Sequence, residues 1–101
     1  MAVTCTGENR VMTAAISGEV DHHRAKEIMD ELVRQIGAGL PRVLTVDLGG
    51  VTFMDSSGIA LILRAQQRMQ LLDGSILVRN VPAQARRVLD AAAIGRLVNI
   101  Q

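Results

Sequence analysis

Aromatic residues and cysteine are almost absent from this 101-residue chain, which has one phenylalanine, no tyrosine, no tryptophan and one cysteine. A lone Cys5 cannot close an internal disulfide, so a reducing, cytoplasmic setting is the expectation. Without aromatic faces there is no stacking platform for single-stranded nucleic acid. Eleven basic residues stand against ten acids, scattered along the chain at a net charge of +1. That leaves no basic field for a duplex, and no nucleic-acid partner is expected. No apolar run approaches the roughly 20 residues of a membrane span, and the opening MAVTCTGENR lacks the layout of a signal peptide. No membrane partner is expected either.

Catalytic signatures are missing as well. The chain holds no GxxxxGK[ST], no GxGxxG after a strand, no HExxH and no GxSxG. Its only lysine, Lys26, falls in an amphipathic stretch, a poor place for a desolvated catalytic amine. His22 and His23 are adjacent, so they do not share a helix face, and no third metal ligand is evident. A triad built with Ser56 lacks an oxyanion element. No metal and no catalytic residue are expected.

What is present reads as one domain over residues 1–101. Hydrophobic residues make up 49% and charged residues 21%, and a chain of this length buries roughly two-thirds of its unfolded surface. Val11 to Ser17 reads as a strand punctuated by Gly18, with a weaker strand at Ala2 to Thr6 before it and a turn on Gly7, Glu8 and Asn9. From Asp21 the period changes. Ala25, Ile28, Met29, Leu32 and Ile36 recur at helical steps, with Asp21 as N-cap and Gly37 to Gly39 as the stop.

Val43 to Leu48 is almost continuously apolar and β-branched, as a central strand covered on both faces would be. Gly49 and Gly50 interrupt it before Val51 to Met54. A helix then runs to Leu72, Asp73-Gly74 turns into a strand at Ser75 to Arg79, and Pro82 opens a helix carrying Ala85, Val88, Leu89 and Ala92. A last strand is expected at Leu97 to Ile100. The order β-β-α-β-α-β-α-β predicts an α/β fold: a mostly parallel sheet covered by helices, with an antiparallel hairpin at its N-terminal edge.

Ser56 is the residue to weigh. In Asp55-Ser56-Ser57-Gly58 two hydroxyls fall where a helix starts and its first N–H groups lack partners, and the plain reading is that one serine caps the helix. The helix behind them points elsewhere. Ile59 to Leu63 are five consecutive apolar residues, which go right around the axis. If Ile62, Ala65, Met69 and Leu72 face the core, Ala60 and Leu63 fall roughly opposite and Ile59 near the rim. An apolar patch beside a modifiable hydroxyl suggests a partner surface, unless another helix covers it.

These residues carry a resemblance. Val51-Thr-Phe-Met-Asp-Ser-Ser-Gly-Ile59 resembles the signature of bacterial anti-sigma factor antagonists of the STAS-domain family. Gly18-Glu-Val-Asp-His-His23 resembles a second signature, that of the sporulation member releasing the forespore sigma factor. Asn80 to Asp90, followed by an apolar residue, a glycine and a short strand, is similar to the family's closing helix region. The resemblance covers nearly the whole chain. Ala60 stands where the family often has glycine, and the sequence stops at Gln101 where many relatives continue into a further helix.

The resemblance implies a STAS-type fold and a protein-interaction switch in bacterial transcription regulation. The unphosphorylated protein would bind an anti-sigma factor that is also an ATP-dependent serine kinase and so release the sigma factor. That kinase would phosphorylate Ser56, and a PP2C-type phosphatase would reverse it. The protein would be a substrate and not an enzyme, a monomer when free, without a resident cofactor; nucleotide binding to the free domain stays open. Asp21, His22, Asp55, Ser57, Gly58, Ile59, Ala60 and Leu63 would form the partner surface around Ser56. The other reading is a STAS module that binds a nucleotide or lipid as a sensor or adaptor.

Overall fold

Val3, Thr4 and Thr6 are β-branched and favour an extended chain. A computed structural model describes residues 3–101, and in it β1 (Val3–Glu8) pairs antiparallel with β2 (Val11–Val20). The expected start at Ala2 lies outside the described residues. The turn falls on Asn9 and Arg10, at φ 54° and 64°, and not on Gly7 and Glu8, which stay in the strand. Two left-handed residues twist a hairpin in the sense its strands prefer.

Helix α1 (Ala25–Gly39) buries Ala25, Ile28, Leu32 and Ile36. It stops on Leu40 at φ 46°, whose N–H donates to the Ile36 carbonyl, so Gly37 and Gly39 lie inside its last turn. Strand β3 (Val43–Met54) runs straight through the expected break at Gly49-Gly50. Its register against β2 slips twice, between Ala15 and Ser17 and between Gly18 and Glu19, each time with one extra residue on β3. Such bulges reset the in-out alternation: the buried apolar positions run Leu44, Val46, Leu48, then Val51 and Met54. Gly50 sits at the first bulge because a Cβ there would lie 3.0 Å from Ser17 Cβ.

The remaining elements are α2 (Ser57–Leu71), β4 (Ser75–Arg79), α3 (Ala83–Ala91), a 3₁₀ turn at Ile94–Arg96 and β5 (Asn99–Ile100). The last strand is thus shorter than Leu97 to Ile100. The sheet order is β1-β2-β3-β4-β5, parallel except for the first hairpin. This is the expected architecture, with β1 at an edge.

One expectation about the central strand fails. Met12, Ala14 and Ile16 align with Leu44, Val46, Ile76 and Val78 on one face and are buried with Leu32, Ile36, Leu61, Ile62 and Met69. On the opposite face Thr45 is buried, at 8% exposure, but Thr13, Ala15, Val43, Asp47, Ser75 and Arg79 around it are half-buried or exposed. The β-branched run of β3 therefore reflects strand preference as much as burial. Parallel strands β2, β3 and β4 point toward one end of the sheet, and β2 and β3 run out to it side by side, which brings together the segments that follow them.

Candidate functional site

Strands β2 and β3 finish in register at Val20 and Met54, and the Asp55 N–H donates to the Val20 carbonyl at 3.1 Å. The two sequence signatures therefore meet. Asp55 ties them further: its Oδ2 accepts the His22 N–H at 3.1 Å and its Oδ1 accepts the Ser57 N–H at 2.7 Å. On the neighbouring loop Asp21 Oδ1 accepts the N–H groups of His23 and Arg24, each at 3.0 Å. Asp21 thus caps the turn leading into α1, one turn before the helix proper. These main-chain donors, that of Arg24 above all, hold its carboxyl below the usual carboxylate range.

Ser56 is exposed and its hydroxyl makes no capping hydrogen bond. Its backbone is already helical, at φ −62° and ψ −15°, whereas a capping serine is normally extended. The plain reading that one of the two serines caps the helix is corrected: Asp55 satisfies the Ser57 N–H. The Gly58 N–H donates to the Asp55 carbonyl at 3.0 Å and the Ile59 N–H to the Ser56 carbonyl at 3.1 Å. The first N–H groups of α2, expected to be open, are therefore occupied. The hydroxyl of Ser56 is left facing solvent with no structural task.

The expected apolar patch is smaller than the helical wheel predicts. Ala60 is exposed, but Ile59 and Leu63 are half-buried against the core, and Ser57 is half-buried. Gly58 is buried, and a Cβ there would fall 2.5 Å from Met54 Cγ. Its small size seats α2 on Met54, so it belongs to packing and not to an accessible surface. The open part of the cluster is His22, Ser56 and Ala60, with Asp21, Asp55, Ser57, Ile59 and Leu63 at its half-buried edge.

The imidazoles of His22 and His23 lie edge to face with centroids 5.5 Å apart. Among the described residues no three of His, Cys, Asp and Glu gather where they could hold a metal ion, and no helix is long and apolar enough to cross a membrane.

One residue at the site escapes a sequence reading. Gln84, at the start of α3, donates from Nε2 to the Met54 carbonyl at 2.8 Å and accepts the Met54 N–H on Oε1 at 2.8 Å. The sequence shows only a polar residue between Ala83 and Ala85 in the closing helix, and nothing in that pattern names a partner thirty residues away.

The STAS domain family matches residues 2–101. An anti-sigma F factor antagonist of Lysinibacillus sphaericus is 30% identical over 78 residues, spanning 77% of this chain and 67% of that protein. Among solved structures, the unphosphorylated form of the anti-sigma factor antagonist SpoIIAA superposes with a TM-score of 0.83 at 23% identity, covering 99% of this chain and 88% of that one. The Bacillus cell fate determinant SpoIIAA in its phosphorylated form gives 0.74 at 23% identity, over 99% and 91% of the two chains.

Proposed function

Because this chain belongs to the STAS-domain family, we propose that it is an anti-sigma factor antagonist switched by phosphorylation of Ser56. The names of the similar proteins support the first half. The observation that carries the second is the exposed, uncapping hydroxyl of Ser56 beside a carboxylate that does the capping in its place. A serine whose hydroxyl has no structural duty can be esterified without undoing the helix start.

The partner under this reading is an anti-sigma factor with serine kinase activity. Ser56 Oγ attacks the γ-phosphoryl of ATP held by that kinase. A P–O bond to serine forms as the bond to ADP breaks, and the hydroxyl proton passes to a base on the kinase. The catalytic groups are the kinase's, and this chain acts as the substrate. The phosphate adds about −1.5 to −2 charges at pH 7. On the free domain it faces water at the positive end of α2, which favours an anion. In a complex it would be pressed against Asp55 and the kinase's own nucleotide phosphates, where like charge and desolvation oppose it. A PP2C-type phosphatase would reset the switch in the same cytoplasm.

The test is incubation with ATP and a candidate anti-sigma kinase from the same genome, with the added phosphate mapped by mass spectrometry. One phosphate on Ser56, with loss of the complex on native gels, is the expected result. Phosphate on another residue, or none with the kinase shown active, overturns the switch.

A further inference from the structure

Strand β3 outruns its neighbour. Its pairing with β4 ends at Asp47 and Arg79, while β3 continues to Met54, bonded on its other side to β2. Met54 therefore turns its own N–H and C=O toward a flank where no strand remains. Main-chain groups near a core must find partners, and the side-chain amide of Gln84 supplies both, at 2.8 Å each. A primary amide presents one donor and one acceptor side by side, as a strand residue does, and so stands in for the missing ladder rung.

The residue held in this way is the last before Asp55 and Ser56. Met54 is 1% exposed and lies against Gly58 in the first turn of α2. Gln84 is the contact by which α3 grips the strand end that launches the phosphoacceptor turn. Resting on the phosphorylation reading above, we propose that Gln84 is a positioning residue for that site: it fixes the height and angle at which Asp55 and Ser56 leave β3, and so the alignment of Ser56 Oγ with an incoming phosphoryl group. Phosphoryl transfer depends on in-line alignment. A displacement of about 1 Å can cost up to a hundredfold in rate.

The nearly isosteric Gln84→Glu keeps the acceptor but sets an oxygen against the Met54 carbonyl; Gln84→Leu removes both bonds while filling the space. Each variant is compared with the unaltered chain at a temperature where circular dichroism shows all three folded. Two readouts are taken: amide hydrogen exchange at Met54, Asp55 and Ser57, and the kcat and KM of phosphorylation by the kinase.

The expected result is faster exchange at those amides, with Val46 and Leu48 unchanged, and a kcat reduced roughly ten- to a hundredfold against a smaller change in KM. Wild-type kcat in both variants, or unchanged exchange at Met54, overturns the positioning role. If the unaltered chain is not phosphorylated by an active kinase, the phosphorylation reading fails and takes this proposal with it. Faster exchange with a normal kcat rejects the positioning role alone.

Discussion

The carboxylate of Asp55 holds the main-chain N–H of His22 at 3.1 Å, across 33 residues of sequence. Its second oxygen holds Ser57 at 2.7 Å, so one side chain joins the loop after β2 to the start of α2. Capping and loop clamping are thus combined in a residue adjacent to the proposed phosphoacceptor.

Replacing Asp55 by alanine strands both donors. Loss of a cap costs about 0.5–2 kcal/mol, and each kcal/mol lowers the melting temperature of a domain this size by about 4–8 °C. Asp55→Ala should therefore melt several degrees lower, and the amides of His22 and Ser57 should exchange faster together. If only Ser57 is affected, the link to the β2 loop does not hold in solution.

Ser56→Ala should leave the melting temperature almost unchanged, because the hydroxyl bonds nothing at the helix start. A neutral surface substitution stays within about 0.5 kcal/mol, where removal of a true serine cap would cost about 1 kcal/mol. A drop of several degrees in thermal denaturation would restore Ser56 as the cap. Ser56→Asp should also stay folded, yet bind an anti-sigma kinase more weakly in titration calorimetry, since its charge sits beside Asp55.

The contrast between these two residues shows how far a sequence can be read. Element order, the edge hairpin and the meeting of the Asp21 and Ser56 segments follow from periodicity and parallel topology. The division of labour between Asp55 and Ser56 does not, because both residue types cap helices equally well and only the backbone angle decides. The bulges of β3 read as a break at Gly49-Gly50 for a similar reason: an extra residue per bulge destroys the two-residue alternation that marks a strand. Gln84 was illegible because its partner is main chain, which carries no sequence signature.

Asp21 makes stability depend on pH. Its folded carboxyl titrates lower than the ordinary value of 3.8 because the N–H groups of Arg24 and His23 bond the ionised form. The stabilisation is present above that ordinary value and is lost as pH falls through the lower folded one. Glu31, held low chiefly by Arg34, adds a dependence of the same sign, so the wild type alone cannot isolate Asp21. The difference in unfolding free energy between wild type and Asp21→Asn should shrink as pH falls from 5 to 2. A difference that persists undiminished at pH 2 would mean that Asp21 acts through something other than its charge.

Gly58→Ala tests the packing assigned to Gly58. Alanine favours a helix by roughly 1 kcal/mol over glycine, so an accessible Gly58 would give a more stable variant. The added Cβ would instead meet Met54 Cγ at 2.5 Å and Sδ at 2.6 Å, and Met54 is fully buried. Overpacking of this kind costs about 1–3 kcal/mol, enough to cancel or exceed the helix gain, and chemical denaturation should show no stabilisation or a net loss. Shortening the obstructing side chain separates the two terms. In a Met54→Ala background, which removes Cγ, Sδ and Cε together, the Cβ has room, and Gly58→Ala should then be markedly less harmful than in the wild type. Equal effects in both backgrounds would show that Met54 is not what keeps this position small.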